Sequence, residues 1–163
     1  MRNKRNGIAA FLTRNISVLG LVSLFTDLST EMSYAIIPIF LREVLKAQPV
    51  FIGLVEAIAE STASILKTFS GYISDRFKKR KLFIFLGYTF STIVKPLLAL
   101  ATQSWHVLIV RFMDRFGKGM RTAPRDALIA ESTTEAYYGR TYGFHRAMDT
   151  MGAILGPLFA FLV

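Results

Sequence analysis

Apolar residues in this chain gather in blocks about 20 long, the length a helix needs to cross a hydrocarbon core of roughly 30 Å at about 1.5 Å per residue. Short polar stretches separate the blocks and place five spans, roughly over 15–41, 50–74, 82–102, 105–131 and 141–163. The expected class is all-α, a polytopic transmembrane helix bundle. The composition agrees, since 52% of residues are hydrophobic, with fourteen Phe and one Trp. Gln48-Pro49 marks the start of the second helix, because Pro is tolerated in a first turn. Ser104-Trp105-His106 reads as a short outer turn with an interfacial Trp.

The stretch from Gly71 to Lys81 lies between the second and third blocks and sets Arg76, Lys78, Lys79, Arg80 and Lys81 against Asp75. Such a cluster between two spans reads as a tight cytoplasmic turn. Asp75 is placed there to cap a helix N-terminus or to pair with a neighbouring Arg. Arg2, Lys4, Arg5 and Arg14 precede the first span. The loop after it, with Arg42, Glu43 and Lys46, is nearly neutral, and the third loop has no Lys or Arg. The positive-inside rule then makes residues 1–14 a cytoplasmic tail and puts the second loop on the same side. The fourth loop, Glu131 to Arg146, follows by alternation, although its mixed charge adds little. The basic start resembles a signal peptide, but no small-residue cleavage site follows a short apolar core.

Several function classes fall away. A net charge of +9 suits nucleic acid when the cations line a soluble surface. Here many sit at the ends of apolar runs, so no nucleic-acid partner is expected. The absence of Cys excludes disulfides, thiol catalysis and Cys-based metal sites. His106 and His145 fall in separate loops, and no nucleophile–base–acid set has useful spacing. Neither an enzyme, a cofactor nor a metal is expected.

Polar residues inside the spans carry the functional signal, because each is costly in lipid unless paired or wetted. Asp27 and Glu31 lie four apart on one face of the first helix. Glu56 and Glu60 repeat that spacing in the second, with Lys67 two turns on. Lys95-Pro96 lies in the third. The fourth is densest, with Arg111, Asp114, Arg115, Lys118, Arg121, Arg125 and Asp126. Arg111, Arg115, Lys118, Thr122 and Arg125 follow a spacing of three and four and share a face. Acids and bases of this set nearly cancel. One account makes them salt bridges that hold the bundle and its cytoplasmic gate. The other makes some of them the lining of a polar path for substrate or protons: Asp27 and Glu31 first, then Glu56 and Glu60, with Arg111, Asp114 and Arg115 also on it.

Three segments resemble the major facilitator superfamily of secondary transporters. The loop is similar to its pattern Gly-x-Leu-Ala-Asp-Arg-x-Gly-Arg-Lys, through Gly71, Ile73, Ser74, Asp75, Arg76, Lys79 and Arg80, with Lys78 where the pattern has Gly. Arg115-Phe116-Gly117-Lys118-Gly119 looks like Arg-x-x-Gln-Gly with Lys118 in place of Gln. Arg111-x-x-Asp114 is a second register. Gly152-Ala153-Ile154-Leu155-Gly156-Pro157 resembles the Gly-x-x-x-Gly-Pro core of an antiporter motif, although Ala160 and Phe161 stand where its final glycines belong. Gly152 and Gly156 let a neighbouring helix approach closely, and Pro157 is expected to kink its own helix.

The resemblance implies helices 1 to 5 of a twelve-span fold over residues 15–163, in a cell inner membrane with the N-terminus cytoplasmic. It implies movement of a small solute by alternating access, with proton coupling, Arg115 (or Arg111) in proton transfer, and the loop as a cytoplasmic gate. Partners would be the lipid bilayer, the solute, protons and a C-terminal half that these residues lack. The apolar end at Phe159–Val163 raises the alternative: a transport-inactive fragment, or a half-transporter that needs a partner chain.

Overall fold

The computed structural model describes residues 12–162. Residues 1–11, including Arg2, Lys4 and Arg5 of the expected tail, and Val163 lie outside the described residues. The helices are α1 (Arg14–Ile39), α2 (Pro49–Phe77), α3 (Arg80–Val94), α4 (Ser104–Glu131) and α5 (Tyr138–Leu162). Among the described residues there is no strand, so the class is the all-α one expected.

The ends differ from the expected spans for local reasons. α1 closes through a π-helical turn, Phe40–Val44, in which Leu45 N–H reaches back to Phe40 O. Lys46, at φ 51°, then reverses the chain. Pro49 occupies the first position of α2 behind an extended Gln48. α3 gives way at Lys95-Pro96 to a 3-10 segment that runs to Leu100. Pro96 has no N–H for an α-helical bond, and its ring restricts the residue before it. α5 starts at Tyr138, so much of the expected Glu131–Arg146 loop is helix. α4 and α5 stay helical through Pro124 and Pro157.

By their contacts the described residues form two units: 12–35 with 126–162, and Ile36–Arg125. In the first, α1 and α5 run parallel. Gly20 lies against Phe144 and Met148, Gly152 against Leu24 and Leu28, and Gly156 against Leu28 and Met32. Residue numbers rise together along both helices. A Cβ on Gly152 would stand 2.5 Å from Leu24 O, and one on Gly156 would stand 2.7 Å from Leu28 O. Backbone meets backbone here, an approach that only glycine allows.

In the second unit α4 packs against both α2 and α3. α2 runs parallel to it, with Gly119 against Ala63 and Leu66 and Ser70 Oγ donating to Gly119 O at 2.9 Å. α3 runs antiparallel, with Gly87 against Gly117 O and Arg121. An apolar cluster of Ile37, Leu41, Ala101 and Val107 closes one end of this unit.

Polarity is inverted relative to a protein in water. Arg111, Asp114, Arg115, Arg121 and Arg125 are buried, while Phe25, Ile65, Phe69, Phe85, Ile93 and Ile154 are exposed. Water rarely tolerates an exterior so apolar, whereas lipid does not penalise it. Two helical stretches, Pro49–Phe77 and Arg80–Leu100, are both long and apolar enough to cross a membrane. α1, α4 and α5 are as long, at 26, 28 and 25 residues. Their apolar runs are more diluted than the block pattern suggests, and in α4 much of the dilution is buried charge.

Candidate functional site

The charges of α2 and α4 form a ladder. Both pairs, Glu56/Glu60 and Arg111/Arg115, are spaced by four, so each stacks along one face of its helix. Because the helices run parallel, acids and bases meet in order. Arg111 Nε donates to Glu56 Oε1 at 3.2 Å and Arg111 Nη2 donates to Oε2 at 2.7 Å. This is the bidentate fork that suits guanidinium to carboxylate. Its members are inside the protein: the Arg111 side chain is 2% exposed and that of Glu56 22%.

The second rung is looser. Arg115 Nη2 lies 3.1 Å from Glu60 Oε1, with the Arg115 side chain 3% exposed and that of Glu60 58%. Nε and Nη1 of Arg115 are buried and have no hydrogen-bond partner. Glu60 and Lys67, expected among the charges that must be paired or wetted inside the spans, are both exposed. The buried stripe of α2 runs through Val55, Ala59, Ala63, Ser70 and Ser74, and Lys67 falls to its side.

Asp114 faces the other way, toward α3, where its Oδ1 accepts from Ser91 Oγ. Arg121 stacks on the ring of Tyr88, with Cζ 4.3 Å from the centroid. Gly87, Tyr88 and Ser91 were not singled out from sequence. A repeat of small and hydroxyl residues in an otherwise apolar helix was the available signal.

Asp27 and Glu31 belong to the other unit. They are partly buried on the face of α1 that meets α5, with their Cβ atoms 3.2 Å and 2.8 Å from where a Cβ of Gly152 or Gly156 would stand. His145, expected in a loop, is buried in α5, its Nδ1 3.3 Å from Asp149 Oδ1 one turn on. The loop reading failed because the polar residues at 140–149 repeat at helical spacing: Thr141, His145 and Asp149 share a face.

The turn between α2 and α3 is two residues, Lys78 and Lys79. Arg80 Nη2 donates to Asp75 Oδ1 at 3.0 Å across it. Lys78 adopts the left-handed conformation, φ 52° and ψ 25°. The turn therefore keeps a glycine-type backbone with a lysine in it. Gly71 packs one helical turn before Asp75, with Ala123 of α4 its nearest neighbour. Arg76 and Lys79 are exposed.

The sequence profile described as the Major Facilitator Superfamily matches residues 19–163. An uncharacterized MFS-type transporter of Methanocaldococcus jannaschii is 41% identical over 151 residues, which cover 93% of this chain and 37% of that protein. An uncharacterized protein of Mycobacterium tuberculosis is 30% identical over 145 residues, covering 89% and 35%. The multidrug resistance protein MdtH of Yersinia enterocolitica is 27% identical over 109 residues, covering 67% and 27%. The chain spans little more than a third of the length of the curated relatives it matches. No solved structure gives a significant match.

Proposed function

Because the chain belongs to the Major Facilitator Superfamily, we propose that it forms part of a multi-pass secondary transporter. It moves a small solute across the inner membrane by alternating access, coupled to protons, with its N-terminus in the cytoplasm. The observation that carries this reading is the charged interior of α4, with Arg111, Asp114 and Arg115 buried in a helix of membrane-spanning length. Ionisable groups at such depth are expensive, and they mark ion and solute pathways. A channel-facing role suits the loose Glu60–Arg115 rung. A structural role suits the saturated Glu56–Arg111 rung.

Asp27 and Glu31 are the proposed proton carriers, with Glu60 and Asp114 as further acids on the path. The Asp75–Arg80 link, with Gly71, Arg76 and Lys79 around it, latches the cytoplasmic side. Gly152, Gly156 and Pro157 hold α5 on α1.

The test is proton flux in liposomes that carry a pH-sensitive dye and hold the purified chain, challenged with amphipathic cations, sugars and organic anions. A pH change induced by a compound and lost in Asp27→Asn is the expected result. A second reading rests on the share of the relatives covered, 37% in one and 35% in another: the chain works only with further helices. It predicts silence from the chain alone and flux when the further helices of a longer relative are supplied with it. Silence from both refutes proton-coupled transport.

A further inference from the structure

The two rungs of the ladder use the same residue types at the same spacing, yet they are not equally filled. Arg111 spends its Nε–Nη2 edge on both oxygens of Glu56, at 3.2 and 2.7 Å. Arg115 is as deeply buried, but only Nη2 has a carboxylate beside it, and the oxygen lies at 3.1 Å. Among the described residues nothing accepts from its Nε or its Nη1. A guanidinium carries five N–H donors in a fixed planar fork and cannot shed its charge. Burying it with donors unused costs more than burying it saturated. Ordinary packing would have closed the gap, as it did one turn away.

The partner is also unusual. Glu60 is the exposed half of the pair, 58% against 3% for Arg115. A long side chain that is more than half exposed and holds a buried cation through one oxygen is easily displaced. Glu56, at 22% exposure and with both oxygens engaged, is not.

We propose that Arg115 is the binding residue for a carboxylate on the transported solute, and that Glu60 is the internal carboxylate which the solute displaces or joins. The Arg111–Glu56 rung is the template for the filled state: a carboxylate taken on a guanidinium fork. This rests on the transport reading above and names the solute class, an organic monocarboxylate. Arg111 positions α4 against α2 and stays paired throughout.

Equilibrium binding of radiolabelled benzoate to the purified full chain in mild detergent tests this, with benzamide and inorganic phosphate as competitors. The unmodified chain should bind benzoate saturably, and neither competitor should displace it at equal concentration. Glu60→Gln should tighten benzoate about tenfold, because a neutral amide competes poorly for a charge-assisted bond. Its exposed position lets the variant fold, which circular dichroism checks. Arg115→Lys keeps the charge but loses the fork, and should weaken binding about tenfold.

The proposal is overturned by absent saturable binding to the unmodified chain. It is overturned equally by unchanged or weaker binding in Glu60→Gln, by parent-like binding in Arg115→Lys, or by displacement with benzamide or phosphate. Flux of a sugar or a cation without benzoate binding would overturn it and leave transport standing. Benzoate binding with no flux of any compound from the chain alone would uphold the carboxylate site and favour the reading that the chain works only with further helices.

Discussion

Replacing Gly152 with Ala should loosen the α1–α5 pair, and the same change at Gly143 should not. The added Cβ at 152 would lie 2.5 Å from Leu24 O, 3.0 Å from Leu28 N and 3.2 Å from Asp27 Cβ. Two of these atoms are backbone, so no rotamer change moves them. Carbon atoms rest at separations of about 3.5 Å or more, so α1 would have to retreat by roughly 1 Å at this point. Overpacking of this kind costs about 1–3 kcal/mol, and a backbone obstacle favours the upper part of that range. Alanine also gains about 1 kcal/mol over glycine inside a helix. That gain is common to position 143, in the same helix, where a Cβ meets nothing within 4 Å. The difference between the variants therefore isolates the packing cost. The assay is unfolding of both variants by SDS in mild detergent, followed by far-UV circular dichroism. Gly143→Ala should unfold at or above the parent midpoint, and Gly152→Ala should fall below it by about 1–3 kcal/mol relative to Gly143→Ala. Coincident midpoints, or a more stable Gly152→Ala, would refute the close-approach argument.

Lys78→Gly should raise stability by about 0.5–1 kcal/mol in thermal denaturation, because the left-handed φ of 52° strains any side chain with a Cβ; Lys78→Ala should give no such gain. Glu56→Gln should cost about 3–5 kcal/mol, since it leaves Arg111 charged at 2% exposure. Glu60→Gln should cost far less, and equal losses from the two would contradict the asymmetry of the rungs. Asp75→Asn should change stability by less than about 1 kcal/mol, because the pair with Arg80 is largely exposed on the Asp75 side. It should still depress transport, and a normal rate would end the proposed latch role.

The helical class was legible because block length is a coarse signal that survives local detail. α4 shows where the signal thins. Its 28 residues carry buried Arg111, Asp114, Arg115, Arg121 and Arg125, so hydropathy alone scores it as a poor span. The charges are tolerated because neighbouring helices, rather than lipid, meet them. Which neighbours was not legible, since periodicity gives the face of a helix and not the helix opposite. The four-residue spacing of Glu56/Glu60 and of Arg111/Arg115 was visible separately. Matching them needed the parallel direction of α2 and α4. Lys78 was hidden for another reason: a lysine gives no hint of a left-handed backbone, and only the pattern it departs from does. His145 was misplaced because a polar stretch with mixed charge looks like a loop until its i, i+4 repeat is counted.

Equal spacing on both sides of the α2–α4 ladder leaves the ion pairs unable to fix the register alone. If α4 moved one turn along α2 in one direction, Arg111 would meet Glu60. In the other, Arg115 would meet Glu56. One rung survives either slip, and the loss of the other is the modest part of the cost. Gly119 removes the ambiguity. Its missing side chain lies where a Cβ would be 2.7 Å from Leu66 Cβ and 2.8 Å from Ala63 O. The first slip brings Arg115 to that point and the second brings Ala123, and either Cβ would collide with backbone. In lipid, where no hydrophobic force drives helices together, close packing of small residues decides how they associate. Here it sets the register, and the ion pairs then decide which faces meet. A carrier that slid α4 by a turn during its cycle would have to part the helices at Gly119 first, so motion of this pair is expected as a tilt of α2 and α4 together and not as a ratchet between them.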